Sequence, residues 1–273
     1  MAAEPPTAPS PPPTIDATTV YSLLSTLAIL AAALALSRHV LDPGPATPAR
    51  LRALFVWHAF DALIHFVLEG SFVYHCLFSS AAVPADGAGA FVGSSLPRGG
   101  EGGWVGENGA YWADPRGFPG GAEEGARRAV MHGAQAGGEN PLARLWMVYA
   151  KADARWAGVD LTVLSIEIIT VLFAGSMACL VCYDIARKNP RANLVMIILA
   201  TAEIYGGYMT FMPEWLTGSL NLDTSSWMYK WVFLAFFNGL WVVIPLYAIY
   251  VAADDIFDAF KARATALGDK KEK

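Results

Sequence analysis

The sequence predicts an all-α protein, an integral membrane five-helix bundle, and three observations carry that prediction. Of its 273 residues, 55% are hydrophobic and only 16% are charged, too apolar a balance for an ordinary soluble domain. The apolar residues gather into five runs of bilayer length, for which about 20 residues are needed. Lys and Arg concentrate in the segments between and after those runs in a pattern that a five-span topology explains.

Residues 1–15 are Pro-rich and expected to be disordered. The first span, 17–37, has no charged residue between Asp16 and Arg38. No Lys or Arg precedes it and it is too long for an h-region, so a signal peptide is not expected. The second span covers 53–79. Residues 80–140 hold 16 of the chain's 25 glycines and read as a long flexible loop insertion. Helical character returns over 141–158, which is expected to lie along the interface with Trp146, Tyr149 and Trp156 at headgroup level. The remaining spans are 161–185, 192–213 and 229–253, and 261–273 form a basic tail. There is no internal repeat, and a single domain over 16–260 is expected.

Basic residues set the orientation. The loop 38–52 carries Arg38, Arg50 and Arg52, and the 186–191 turn carries Arg187, Lys188 and Arg191. The tail carries Lys261, Arg263, Lys270, Lys271 and Lys273. Five spans put all three regions on one side, the cytosol, with the N-terminus in a lumen or outside. A net charge of −5 offers no basic patch for nucleic acid. Cys76, Cys179 and Cys182 all fall within spans, which argues against a disulfide framework.

The second span carries ionisable groups through its middle. His58, Asp61, His65 and Glu69 recur at i, i+3, i+7 and i+11 and so share one helix face. A carboxylate at the bilayer centre costs about 2.5–3.5 kcal/mol on the gentlest insertion scale, so the stripe must face protein or a wet cavity. His65 and Glu69, at i and i+4, are placed to share a hydrogen bond and act as a proton donor. The third span adds Glu167 with Thr170 one turn on, the fourth Glu203 near Tyr205 and Tyr208, and the fifth Asn238 with Trp241. Such a pocket suits protonation of a carbon of an apolar substrate and retention of the resulting cation, to which an indole face contributes about 2 kcal/mol when desolvated.

Structural readings stand beside these. His58 reads equally as a hydrogen-bonded packing residue, Asp61 as the partner of an arginine near the cytosolic end, Glu203 as a tyrosine partner, and His75 as structural. Membrane di-iron chemistry needs about eight clustered histidines, whereas this chain has five, with His39 and His132 in loops. A zinc site from His58, Asp61 and His65 is conceivable, but no metal and no cofactor is expected.

The segments HFVLEG (65–70), LWMVYAKADARW (145–156), TVLSIEIIT (162–170), AEIYGGYMTF (202–211) and WVFLAFFNGLWVVIPLY (231–247) resemble the emopamil-binding protein family, the 3β-hydroxysteroid Δ8,Δ7-isomerases of the EXPERA superfamily. The segments are colinear and span most of the chain from about residue 50 to 255. The resemblance implies a five-helix bundle in the endoplasmic reticulum, often a homodimer, that admits a sterol from the membrane lipids. It implies a cofactor-free shift of a ring double bond from Δ8 to Δ7. His65 and Glu69 match the family's acid pair, Glu167 and Thr170 its second polar site, and Asn238 and Trp241 its cation-holding pair. On this reading His65–Glu69 delivers the proton. Glu167, oriented by Asn238 and Thr170, stabilises the cation, Trp241 turns its face to it, and Glu69 or Glu167 takes the departing proton. Glu203 and Tyr208 join the substrate-binding wall. Lipophilic amines, which mimic the cation, are implied ligands.

The chain departs from the family at the 80–140 insertion, at Ser71 where Trp is usual, at Glu203 where Gln is usual, and at Gly207 where animal members carry Asp. Lys270 and Lys271 resemble a dilysine retrieval signal. Two alternatives follow: a non-catalytic sterol- or lipid-binding EXPERA protein, and an isomerase or cyclase of another polycyclic terpenoid.

Overall fold

The computed structural model describes Ile15, residues 17–82 and residues 130–268. Most of the Pro-rich N-terminus, the greater part of the Gly-rich insertion, and Lys270 and Lys271 lie outside the described residues. Five helices are long and apolar enough to cross a membrane: α1 Ala17–Val40, α2 Ala49–Phe78, α4 Leu161–Ala186, α5 Arg191–Leu216 and α6 Met228–Gly268. The short α3, Pro141–Tyr149, lies between the second and third of these.

Local sequence explains where the helices begin. Asn140 caps α3, accepting from Leu142 N at 2.9 Å, and Pro141 occupies the first turn, where no N–H is needed. Asp160 caps α4, accepting from Val163 N at 2.9 Å. α6 does not stop at residue 253: no helix breaker stands between Asp254 and Ala266, so the helix runs on through the charged segment to Gly268. The basic tail is thus helical over its first eight residues, 261–268.

α2 packs against α1 and α4, α4 against α5, and α5 lies along α6. The core is built from Phe55, Phe72, Leu164, Met196 and Leu199, all nearly inaccessible. Large apolar side chains on the outer faces, such as Leu27, Leu172, Phe173, Leu246 and Tyr250, are exposed as a lipid-facing belt requires. At one end of the bundle Arg50 pairs with Asp255 at 2.7 Å and Lys188 with Asp42 at 3.0 Å. The loop 38–52, the 186–191 turn and the start of the α6 extension therefore meet on the same side.

The other end is more ordered than its glycine content suggests. Ser80–Ala82 (β1) and Val130–His132 (β2) pair antiparallel and close the neck of the insertion. Gly133 follows at φ 85°, and a Cβ there would lie 2.4 Å from the Gly158 carbonyl oxygen, so this glycine serves a close approach rather than slack. In the segment 141–158, Trp146 and Trp156 face inward: they are buried and stacked on each other at 4.7 Å, against Phe72. Trp146 Nε1 donates to Ser71 Oγ at 2.9 Å, so the small residue at 71 leaves room for this indole.

Beneath them a buried latch ties the segment to α5. Arg155 donates to Asp153 through Nε (2.9 Å) and Nη2 (2.6 Å) and to the Thr210 carbonyl through Nη1 (2.7 Å). Burial holds the Asp153 carboxyl above the usual aspartate range, although Arg155 pulls it down.

Candidate active site

Three of the spanning helices carry a stretch of wider π-type winding: Ile64–Glu69 in α2, Thr170–Ala174 in α4 and Met228–Phe237 in α6. His65, Glu69 and Thr170 lie inside these stretches and Asn238 directly after one. Such local rewinding turns side chains away from the regular helical register and is frequent at functional sites. Between α2 and α4 the helices approach closely at Gly175, where a Cβ would meet Phe66 Cζ at 2.9 Å and His65 Cβ at 3.2 Å.

The rewound faces enclose a cavity of about 940 Å³. This is near the upper end of the roughly 300–1,000 Å³ found for small-molecule sites. Its wall includes all eight residues singled out from the sequence: His65, Glu69, Glu167, Thr170, Glu203, Tyr208, Asn238 and Trp241. Apolar side chains such as Ile64, Leu68, Ile166, Phe233 and Val242 make up much of the rest. Tyr205 and Tyr208 are half exposed or more and stand on the outward side of the lining.

His65 is the centre of a row of polar groups. Its Nδ1 is 2.5 Å from Glu69 Oε2 and its Nε2 is 3.1 Å from Asp61 Oδ1, so the imidazole lies between two carboxylates of its own helix. Glu69 is within hydrogen-bonding reach of Glu167, and Thr170 Oγ1 donates to Glu167 Oε2 at 3.2 Å. Asp61 also accepts from Trp241 Nε1 at 2.9 Å.

Some expectations are corrected by this geometry. Asp61 is not paired to an arginine; its partners are His65 and Trp241. Asn238 does not orient Glu167. Its amide donates to the Tyr149 hydroxyl at 2.9 Å and to the carbonyls of Phe233 and Leu234, which the π-winding before it leaves available. Burial pushes the Tyr149 phenol above its usual range, so it remains a neutral partner for that amide. Neither ring nitrogen of His58 has a hydrogen-bond partner among the described residues, and the Glu203 carboxyl lies within hydrogen-bonding reach of Asp61 and not of a tyrosine. The tyrosine partnership considered for Glu203 is therefore not formed.

Tyr149 and Asp61 are the residues that the sequence reading noticed but did not assign to the catalytic or substrate-binding set. For Asp61 the signal was present, since it lies on the ionisable stripe between His58 and His65. For Tyr149 there was none, because its contact with Asn238 joins residues 89 positions apart.

Comparison with known proteins agrees with this architecture. Residues 141–252 match the family model EBP, described as EXPERA (EXPanded EBP superfamily). Over 132 residues the chain is 27% identical to the 3-beta-hydroxysteroid-Delta(8),Delta(7)-isomerase of Cavia porcellus, covering 48% of this chain and 58% of that protein. It is 32% identical over 104 residues to the probable isomerase of that name from Arabidopsis thaliana, covering 38% of this chain and 46% of the relative. A similar match, 27% over 106 residues (39% of this chain and 49% of the relative), is made to an isomeliandiol synthase of Melia azedarach. The chain thus spans about half the length of the curated relatives it matches. The family match takes in Glu167, Thr170, Glu203, Tyr208, Asn238 and Trp241, whereas Asp61, His65 and Glu69 on α2 precede it. Residues 141–252, which supply three of the spanning helices and most of the chamber's polar wall, are the part of the chain that is similar to the EBP family of the EXPERA superfamily.

Proposed function

We propose that the protein is a sterol Δ8-to-Δ7 isomerase that works by protonating a ring alkene, holding a carbocation and releasing a proton. The observation that supports this most is His65 set between Glu69 (2.5 Å) and Asp61 (3.1 Å) on the wall of a large apolar chamber at membrane depth. The His65–Glu69 pair gives its proton to one alkene carbon. A C–H bond forms, the π bond is consumed, and positive charge appears on the neighbouring ring carbon. Glu167, fixed by Thr170, supplies the opposing negative charge, and the Trp241 indole lines the same wall. Loss of a proton from the carbon beyond completes the shift. No electrons leave the substrate, so the residues present suffice and no redox partner enters.

We place the protein in the endoplasmic reticulum membrane, with the end that joins Arg50, Lys188 and the α6 extension in the cytosol and the N-terminus in the lumen. The sterol enters from the surrounding lipid, and a homodimer is compatible with the exposed apolar belt. Protonated lipophilic amines should compete with the sterol, because they present a fixed cation to the same carboxylates. Turnover unaffected by saturating amine would count against the cation-holding role.

Expression in a cell lacking its own sterol isomerase, followed by sterol mass analysis, tests the assignment. Restored Δ7 sterols that disappear with His65→Ala or Glu167→Ala support it. Sterol binding without turnover would instead indicate a non-catalytic EXPERA protein. Turnover of another polycyclic terpenoid alone is the second reading. It is favoured by the extra carboxylate at Glu203 and by relatives of similar identity named isomeliandiol synthase and protoglabretal synthase.

A further inference from the structure

Glu203 has an unusual position among the acids of the chamber. It lines the cavity, is only 6% exposed, and its carboxyl group lies within hydrogen-bonding reach of Asp61. One oxygen each from Glu203 and Asp61 and one ring nitrogen of His65 lie within 4.8 Å of one another. Asp61 is fully buried behind the wall: Oδ1 accepts from Trp241 and faces His65 Nε2, and the carboxylate lies within hydrogen-bonding reach of Glu203. Two carboxyl groups that line the cavity, Glu69 and Glu203, are thereby connected through two further groups that can pass a proton, His65 and Asp61. Carboxylate oxygens gathered in a water-poor interior cannot stay without a proton or a cation among them.

We propose that Glu203 is a second acid–base group of the reaction, taking the proton that leaves the substrate, and that Asp61 and His65 return it to Glu69. This rests on the isomerase reading above. Glu69, through its pairing with His65, donates a proton to the alkene carbon. The Glu203 carboxylate removes a proton from the carbon on the far side of the cation, and the electrons of that C–H bond form the new double bond. The proton on Glu203 passes to Asp61, from Asp61 to His65 Nε2, and the His65 Nδ1 proton recharges Glu69. Each carboxyl group ends as it began, whereas His65 ends with its proton on Nε2 in place of Nδ1. A turn of the imidazole between its two carboxylates restores the starting tautomer, and no proton need cross the apolar wall. The Trp241 N–H, bonded to Asp61 Oδ1 at 2.9 Å, fixes the carboxylate between its two exchange partners. Asp61 is a positioning and relay residue, whereas Glu203 touches the substrate.

The test uses the full-length protein in lipid nanodiscs, a Δ8 sterol, and the same sterol deuterated at the departing position. Glu203→Gln should lower kcat about 100-fold or more, the range for loss of a positioned base, with little change in KM. It should also raise the isotope effect at the departing hydrogen, because deprotonation becomes limiting. Asp61→Asn should lower kcat comparably, leave that isotope effect unchanged and raise the solvent isotope effect, because return of the proton becomes limiting. Glu203→Asp should recover part of the rate. Melting temperatures identify any variant that fails to fold, and Glu203→Asp then carries the comparison. An unchanged kcat in Glu203→Gln, or a fall without any change in isotope effect, overturns the proposal while leaving the isomerase reading intact. A divalent metal bound stoichiometrically to the wild type and absent from Glu203→Gln also overturns it, by making these atoms metal ligands. A wild-type protein that isomerises no substrate overturns the reading and the relay together.

Discussion

Replacing Asp153 by alanine separates the part of the molecule that holds the chamber together from the part that reacts. Asp153 is fully buried and Arg155 is 3% exposed, and the carboxylate accepts two of the guanidinium's hydrogen bonds, at 2.6 and 2.9 Å. Asp153→Ala leaves the guanidinium buried, with the Thr210 carbonyl at 2.7 Å and Glu214 at 3.7 Å as its remaining partners. Breaking a buried pair from one side costs about 3–5 kcal/mol, and the surviving partners place this case near 3. At about 2–4 °C per kcal/mol for a chain of this size, the melting temperature should fall by about 6–12 °C. Burial keeps the Asp153 carboxyl above its ordinary range even beside Arg155, so the pair has not recovered its whole desolvation cost. Removing both charges should therefore be milder than removing one: Asp153→Ala with Arg155→Met should melt higher than Asp153→Ala alone. Thermal unfolding in detergent or nanodiscs, followed by tryptophan fluorescence, reads both numbers. A single variant within 2 °C of wild type, or a double variant melting below the single, would refute the account of the latch.

Trp241→Phe keeps an aromatic face in the chamber but removes the N–H that Asp61 accepts at 2.9 Å. A hydrogen bond to a charged group contributes about 1.5–3 kcal/mol, so sterol turnover should fall about 10- to 150-fold; equal activity would show that the indole acts through its face alone. Asn238→Leu strands the Tyr149 hydroxyl at a cost of about 1–3 kcal/mol, and adding Tyr149→Phe should restore much of the lost thermal stability. The double variant distinguishes this pairing from a general packing defect. Burial lowers the affinity of His132 for a proton below the ordinary histidine value of 6.5. The unfolded neck then binds the proton more readily than the folded one. The contribution to stability is whole above about pH 6.5 and declines as pH falls below it. Hydrogen-exchange protection of Ser80–Ala82, corrected for the intrinsic pH dependence of amide exchange, should fall between pH 7 and pH 5, and His132→Gln should abolish that fall.

Length and polarity made the bundle legible in the sequence. Each of the five runs exceeds bilayer thickness, and a backbone in lipid has no alternative to the helix when no sheet can close. The ionisable stripe was legible for the same reason, since His58, Asp61, His65 and Glu69 could not all be solvated by lipid. The inward stacking of Trp146 and Trp156 was not legible, because aromatic residues beside a span fit the interface and a buried stack equally well. The contacts that decide the matter, Trp146 with Ser71 and Trp156 with Phe72, join residues 75 and 84 positions apart. The glycines of 130–140 misled in a related way. Gly133 and its neighbours signal slack by composition, yet at Gly133 the missing Cβ lets two backbones touch.

The partner of Asn238 was hidden for a different physical reason. Regular 3.6-residue winding places Asn238 and Trp241 on one face, and from that register Asn238 points with Trp241 toward the carboxylates. The π-wound stretch of α6 ends at Phe237, and it leaves the Phe233 and Leu234 carbonyls with the Asn238 amide as a partner. The amide that satisfies them is turned toward Tyr149 and away from Glu167. Helical periodicity can nominate the residues that line a chamber, because lining tolerates a shift of tens of degrees. It cannot assign their partners where the winding itself changes, and in this protein three of the spanning helices change their winding beside the site.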